Sequence, residues 1–422
     1  YGGPFVTLFP QSVIYPGSPV DFVVYGEGEY TMLELIKELK KPKENQDFSN
    51  INGLVYLKNG KLHYTQPRKL VQNLDDFPMP AYDLLPIERY GQKDGLWANG
   101  VTVFHSKGCI DSCDFCSCWR AMGNIKNVIN NEKIEVYPNW RTKSVKKTLE
   151  ELKYIKDKWK KTTFVFTDDT WNVNPKWNEE FAEKYNNEYK LDVDWFAFMR
   201  ADFILRDIRN GIFEKLYKSN LRHIIVGVER CDQAGLDCVG KNIKTLTNEY
   251  TFRWIRKHCP DLFIQGTFIN GIWEDKPESF LKVVKYAKKL DIDYPAFHTL
   301  TPFPGTKLYD WYREKGLLDE KYPWEKFEFD FAFVPTKYMT TAEVAKHNKM
   351  ASMLYAADPV YLLKGLLLKG ATRRRMYWLF LRRMIRLIFD GFMEFKNPFE
   401  LDPVRARQTY LFNMVEPDWY NS

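Results

Sequence analysis

Gly108-Cys109-Ile110-Asp111-Ser112-Cys113-Asp114-Phe115-Cys116-Ser117-Cys118-Trp119 sets three cysteines at C-x3-C-x2-C spacing on one loop. The loop follows Val101–Ser106, a run that reads as a β-strand, so the thiols lie at a strand's C-terminal end. Three thiolates on one loop can each hold one corner of an iron–sulfur cluster. A 4Fe–4S cluster has four irons, so three protein ligands leave one iron open to a small molecule. The competing chemistry is a structural zinc site, which takes four ligands and whose cysteine pairs usually recur downstream. No second C-x2-C pair exists in the chain, and zinc would have to recruit Cys118 or His105 at awkward spacing.

Outward from this loop the chain alternates. Strand candidates are Val101–Ser106, Thr163–Thr167, Trp195–Met199, His223–Val228, Leu262–Phe268 and Ala296–Leu300, with helical periodicity near 144–158, 176–189, 208–219, 245–258 and 277–290. Six strands with five intervening helices predict a parallel α/β wheel, an open partial (β/α)6 barrel rather than a closed eight-unit one. Active sites in such folds sit at the C-terminal strand ends. Upstream, Asp21–Glu29 reads as a strand entering a glycine turn, and Tyr30–Lys40 as a helix. Residues 41–98 are proline-rich, with a hairpin expected at Leu54–Leu57 and Lys61–Tyr64 around Asn59-Gly60.

Composition narrows the class. Hydrophobic residues make up 45% and charged residues 28% of 422, which excludes disordered, collagen-like and coiled-coil chains. The formal charge of +7 is mild. Seven cysteines are too few for a disulfide scaffold and odd in number, which points to metal or redox chemistry in a reducing, cytoplasmic setting. The richest apolar run, Met376 to Phe389, is broken by Arg382, Arg383 and Arg386, short of the roughly 20 residues a membrane span needs. The opening at Tyr1 without a leader pattern predicts a chain that starts inside a domain.

The cysteine motif, with aromatic Phe115 before its last cysteine, resembles that of the radical S-adenosylmethionine (radical SAM) superfamily, and the resemblance runs over roughly residues 99–305. It implies that Cys109, Cys113 and Cys116 hold the cluster and that the open iron binds the amino and carboxylate groups of S-adenosylmethionine. One electron, from a donor such as ferredoxin or flavodoxin, would then release a 5′-deoxyadenosyl radical. Thr167-Asp168-Asp169 stands where the superfamily usually has a Gly-Gly-Glu-like turn, which gives Asp168 and Asp169 a role at the methionine amine; the other reading is two solvated acids capping the next helix. By the same resemblance Arg200 meets the methionine carboxylate or the ribose, and Glu229 lies near the nucleoside, each against a structural salt bridge as the alternative. Gly271 falls beside the adenine, and Pro302, in Thr301-Pro302-Phe303-Pro304-Gly305, at an adenine edge. Cys118 reads as a bystander thiol, Cys231 and Cys238 fall short of a second cluster, and His298 on the sixth strand reads as a core histidine.

Gly2-Gly3-Pro4 and Asp21–Glu29 resemble the closing strands of a Rossmann-like cobalamin-binding domain, although the Asp-x-His-x-x-Gly segment of many cobalamin sites is absent. The expectation is that a longer parent protein, rather than this chain alone, holds cobalamin. Cys116-Ser117-x-Trp119, Leu300–Pro304, Pro323-Trp324-Glu325-Lys326-Phe327 and the tail over Asp358–Phe389 are similar to the cobalamin-dependent branch that includes the anaerobic magnesium-protoporphyrin monomethyl ester cyclase and lipid and natural-product methylases. The organisation implied is a remnant of the cobalamin-binding domain (1–40), a linker with small β structure (41–98), the radical SAM barrel (99–330) and a helical basic region (331–422). The function implied is hydrogen abstraction from an unactivated carbon of an apolar small molecule, a tetrapyrrole, lipid or natural product, for methylation or oxidative cyclisation. The alternatives are a radical SAM methylthiotransferase, which would usually carry three more cysteines upstream, and a non-catalytic iron–sulfur or zinc protein. Residues 364–396 hold Lys364, Lys369, Arg373, Arg374, Arg375, Arg382, Arg383, Arg386 and Lys396 among apolar residues. Such a basic amphipathic pattern predicts peripheral membrane contact, or a helix packed on the barrel mouth that helps cover the substrate. Nucleic acid is not expected, because no recognisable module is present.

Overall fold

The computed structural model of the chain describes residues 1–91, 97–129, 133–318, 331–368 and 370–393. The Pro323–Phe327 motif, Lys369 and Lys396 lie outside them. So do the side chains of Arg383 and Arg386.

In chain order the strands are β1 (Phe22–Val24), β2 (Leu54–Lys58), β3 (Lys61–Tyr64), β4 (Gly100–Val103), β5 (Ser106–Cys109), β6 (Asn124–Ile129), β7 (Lys133–Tyr137), β8 (Asn139–Thr142), β9 (Thr163–Phe166), β10 (Asp194–Met199), β11 (Leu221–Glu229), β12 (Phe263–Asn270) and β13 (Tyr294–Thr299). Six of them form one parallel sheet in the order β13-β12-β11-β10-β9-β4, so each strand neighbours the next of the set in sequence. This is the expected α/β partial barrel. Alternation gives each strand two faces. Trp195, Ala197, Met199, Ile224, Val226, Val228, Ile264 and Phe268 are buried in the main hydrophobic cluster with the helices. The opposite face carries Phe196, Phe198, His223, Ile225, Gly227, Gln265 and Thr267, in register across three strands.

Helices Val145–Trp159, Pro175–Asn187, Thr245–His258 and Pro277–Lys289 fill four of the crossovers. Ser144 and Asn174 cap the first two by accepting from backbone amides. The crossover after β10 differs from expectation. It holds two helices, Ala201–Arg209 and Ile212–Lys218, separated at Asn210-Gly211, where Gly211 has φ +72°.

The first barrel strand is also shorter than its apolar run. It stops at Val103, and Ser106–Cys109 leaves the sheet to pair antiparallel with β8. Hairpin β6–β7, which the sequence pattern did not reveal, follows the cysteines. Asp21–Glu29 forms the expected strand and turn into a helix, Glu29–Leu39, but outside any Rossmann-like parallel sheet. Its strand β1 pairs antiparallel with the expected hairpin β2–β3, so segments 1–40 and 41–98 share one sheet. The hairpin turns on Asn59 and Gly60 with φ of 52° and 73°, as a two-residue Asn-Gly turn should. That sheet, with Val6 of the short helix Pro4–Leu8, packs Val23, Tyr25 and Val55 against Ile125 and Ile134 of β6–β7.

The tail corrects another expectation. Helices Pro359–Leu367 and Ala371–Met393 lie at the N-terminal ends of the strands, opposite the barrel mouth. The Tyr361 hydroxyl donates to the Asp293 carbonyl at 2.6 Å, and Phe380 stacks on Phe263 and Tyr294. The tail therefore closes the floor of the barrel and does not cover its mouth. Arg373 is buried, with Nε 2.9 Å from Asp293, whose other oxygen meets Arg256 at 2.7 Å. Burial alone would raise the Asp293 pKa, but Arg256, Arg373 and Lys364 together hold it well below the usual carboxylate range. Asp293→Ala would strand buried guanidinium groups and is expected to cost about 3–5 kcal/mol in urea unfolding at neutral pH. Because the folded-state pKa is depressed, this contribution is present above the ordinary carboxylate value of about 3.9 and fades only as pH falls below it.

Candidate functional site

The cysteine loop is built by a turn that one carboxylate organises. Asp168 lies two residues past β9, fully buried, and its Oδ1 accepts from the amides of His105 and Ser106 at 3.1 and 2.6 Å and from Ser106 Oγ at 2.6 Å. His105 Nδ1 lies 2.7 Å from the same oxygen. Burial opposes ionisation of Asp168, but His105 and Ser106 outweigh it and keep the carboxyl below its usual range. His105 is enclosed by Trp177, Trp171, Phe166 and Trp140. Among the described residues it joins no group of three side chains able to hold a metal ion. The geometry ends β4 and starts β5, which delivers Cys109.

Two glycines let the loop fit. Gly108 has φ +84°, and a Cβ there would come within 2.1 Å of the Asn139 carbonyl; Gly240 has φ +64° and faces the Asp114 carboxylate with no room for a side chain. The Asp114 amide donates to Val239 O at 3.1 Å, Trp119 Nε1 donates to Cys113 O at 3.1 Å, and Lys307 pairs with Asp114 at 2.8 Å. The Asp111 amide points at Cys109 Sγ, and Thr170 Oγ1 lies beside the same sulfur, each at 3.5 Å.

The thiols are free and differ electrostatically. A hydrogen bond from Cys118 draws the Cys116 thiol down to about 7 and in turn pushes Cys118 up. Burial drives Cys113 up to about 12, against the pull of Lys241. Asp169, half-buried, is raised to about 6 by burial and by its neighbour Asp168. Cys118 is thus in contact with the motif rather than a distant thiol. Among the described residues no three His, Cys, Asp or Glu side chains converge to hold a single metal ion. Thiols distributed along one loop, with an amide aimed at a sulfur, fit a ligand that presents several metal corners.

The other expected site residues divide. Arg200 follows β10 and clamps Asp111 in the loop together with Asp202, its Nη2–Oδ2 distance to the latter being 3.0 Å. Glu229 ends β11 with φ +61° and pairs with Lys241 at 3.2 Å, both buried. Lys241 was not identified from the sequence; nothing in its spacing marks a cation that folds back toward Cys113. Gly271 has φ +79° and packs against Val344 of helix Thr341–Ala356, with its amide on Asp275 at 2.8 Å. Pro302 is buried just beyond β13. Asp168, Asp169, Arg200, Glu229 and Lys241 surround the cysteine loop, whereas the Gly271 contacts are to Asp275 and to helix Thr341–Ala356. Cys238 adjoins Val239, whose carbonyl holds the Asp114 amide, Cys231 is half-buried, and Cys259 is in the core.

One more residue absent from the expectations joins the N-terminal sheet to this loop. Glu27 accepts from Lys107 at 3.2 Å and Arg141 at 3.1 Å, cross-strand neighbours on β5, which carries Cys109, and β8.

The sequence profile of the Radical SAM superfamily matches residues 103–313. An uncharacterized methyltransferase of Pyrococcus horikoshii is 31% identical over 378 residues, covering 88% of this chain and 76% of that protein. The chain belongs to the radical SAM superfamily. It is therefore an enzyme that uses S-adenosylmethionine and an iron–sulfur cluster. The anaerobic magnesium-protoporphyrin IX monomethyl ester cyclase of Synechocystis is 24% identical over 381 residues, 90% of this chain and 70% of the cyclase. Among solved structures, the cobalamin-dependent S-adenosylmethionine radical enzyme OxsB, with aqua-cobalamin and S-adenosylmethionine bound, superposes with a TM-score of 0.64 at 14% identity. It covers 96% of this chain, and this chain spans 61% of OxsB. At that identity the fold is what is shared. In this radical SAM fold the cysteine loop occupies the C-terminal strand ends, where the sequence pattern put it.

The role of Asp168 is open to test. Asp168→Ala leaves the amides of His105 and Ser106 without their acceptor and is expected to cost about 1–3 kcal/mol for each buried donor stranded, with lower iron content after anaerobic reconstitution. Asp169→Asn, half-buried and outside that network, should unfold at the same urea concentration as the parent.

Proposed function

We propose that the chain holds a 4Fe–4S cluster on Cys109, Cys113 and Cys116 and modifies an unactivated carbon of an apolar small molecule, by methylation or oxidative cyclisation. The observation that carries this reading is the cysteine loop at the strand ends with two cations, Arg200 and Lys241, drawn to it. When bound, the cluster would supply the electron that cleaves the sulfonium of S-adenosylmethionine to methionine and a 5′-deoxyadenosyl radical, the electron itself coming from a donor such as ferredoxin or flavodoxin.

The chain's own residues do the rest. The Asp111 amide and Thr170 hydroxyl can stabilise negative charge on the Cys109 sulfur. Lys241, balanced by Glu229, and Arg200, balanced by Asp111 and Asp202, supply positive charge where an amino-acid carboxylate would approach. Asp169 offers a carboxylate to the amine end, whereas Asp168 acts through the turn it holds. Phe196, Phe198 and Ile225 give the barrel interior an apolar lining, with Gln265 and Thr267 as polar points. Such a lining excludes water and suits an apolar substrate. The relatives' methyltransferase and cyclase names favour these two outcomes over methylthiolation.

Cobalamin fits the residues present only in part. Gly3, with φ +109°, has open space where a Cβ would stand, but residues 1–41 contain no histidine. No step above depends on cobalamin, and its binding by a longer protein is a separate proposal that the OxsB likeness supports.

Anaerobic reconstitution tests the reading. It requires about four irons per chain and dithionite-dependent release of 5′-deoxyadenosine; one zinc per chain and no nucleoside would overturn it. Replacing Cys109, Cys113 and Cys116 together by Ala is expected to remove both signals. Lys241→Met should keep the iron and weaken S-adenosylmethionine binding roughly tenfold, the loss of one charge-assisted contact, as read by equilibrium dialysis.

A further inference from the structure

Among the described residues nothing covers one apolar face of the helix Pro359–Leu367, which lies beside a basic one. Tyr361 and Gly365 face inward, and a Cβ on Gly365 would strike the Tyr377 ring. The remaining apolar side chains point away from the protein: Val360 is 77% exposed, Leu363 59%, Leu366 67% and Leu367 81%, with Leu362 at their edge. At 100° per residue these five positions fill one continuous arc of the helix. A single exposed leucine needs no explanation, but five on one face of one helix do.

Charge decides what covers the face. From residue 359 to 393 the sequence has eight Lys or Arg and one acid, Asp390. Arg373 and Lys364 are engaged with Asp293 and Asp291. Arg374, Arg375 and Arg382 are exposed. Arg374 stands one turn before Trp378, whose ring would lie 3.2 Å from a Gly365 Cβ, so its stripe borders the leucine helix. An apolar strip rimmed by cations, with the bordering acids Asp291 and Asp358 engaged by Lys364 and Lys288, complements an anionic lipid surface, where leucines enter the headgroup boundary and arginines meet lipid phosphates. No helix among the described residues is long and apolar enough to cross a membrane, so the contact is one of lying on the surface.

We propose that the face of Pro359–Leu367, with Arg374 and Arg375, is a docking surface for anionic lipid bilayers, a property beyond the chemistry proposed above. The helix is at the barrel floor, so a docked molecule turns its cysteine loop away from the bilayer. The surface tethers the enzyme; it is not the substrate's entrance.

The test is co-sedimentation of the full chain with vesicles of phosphatidylcholine alone or mixed with phosphatidylglycerol. Binding is expected to the mixed vesicles and to weaken as salt is raised. Arg374→Ser with Arg375→Ser should lower the partition coefficient about fivefold per arginine removed, and Leu366→Glu with Leu367→Glu should abolish it. Both double variants should keep the parent's thermal midpoint and mass by light scattering. Failure of the parent to bind mixed vesicles overturns the proposal, as does equal binding by the leucine variant. A parent dimer that the leucine variant dissociates would assign the face to a second copy, and a lowered midpoint in that variant would assign it to the chain itself; either result also overturns it. Iron content and nucleoside release, measured on the same samples, report on the cluster chemistry independently.

Discussion

A carboxylate buried without a full cationic partner needs donors on its oxygens, and Asp168 finds them in the two residues where the first barrel strand gives out. The amides of His105 and Ser106 cannot continue the β4–β9 ladder while they point at Asp168 Oδ1. The chain is therefore turned out of the sheet at a fixed residue, and β5 carries Cys109 away from it. The loop's attachments to Val239, Thr170 and Arg200 depend on that starting point.

Other buried charges repeat this arrangement at both ends of the barrel. Glu229 with Lys241 and Arg230 with Asp275 lie toward the mouth, and Asp293 with Arg256 and Arg373 at the floor. Ion pairs out of water are weak sources of net stability but strong constraints on geometry, because moving one partner leaves the other uncompensated. At the mouth they fix strand ends around the thiols. At the floor they fix the tail helices under the sheet.

The sheet was legible because its signals are local. Each strand is a short apolar run, each crossover has helical periodicity, and the cysteine spacing is contiguous. What escaped the sequence depends on contacts between distant residues. Val101–Ser106 looks like one strand, since nothing within it announces that Asp168, some sixty residues on, will bend it. Hairpin β6–β7 is amphipathic on too few residues to be distinct, and it gains its core from Val6, Val23 and Tyr25. Lys241 looks like any surface lysine until Gly240 brings its segment against Asp114. Asp168 drew attention by its place after the second strand. Its work, holding a turn, was not legible there, because a carboxylate's neighbours are set by the fold.

Glu27 joins two parts of the molecule that could otherwise be regarded as interchangeable modules. Its carboxylate belongs to the turn after β1, yet its partners Lys107 and Arg141 are cross-strand neighbours on β5, which carries Cys109, and β8. A graft that replaced the N-terminal sheet with an unrelated one would leave two cations facing each other across the base of the cysteine loop. The junction therefore acts as one unit, and neither layer can be exchanged without leaving uncompensated charge at the base of the loop.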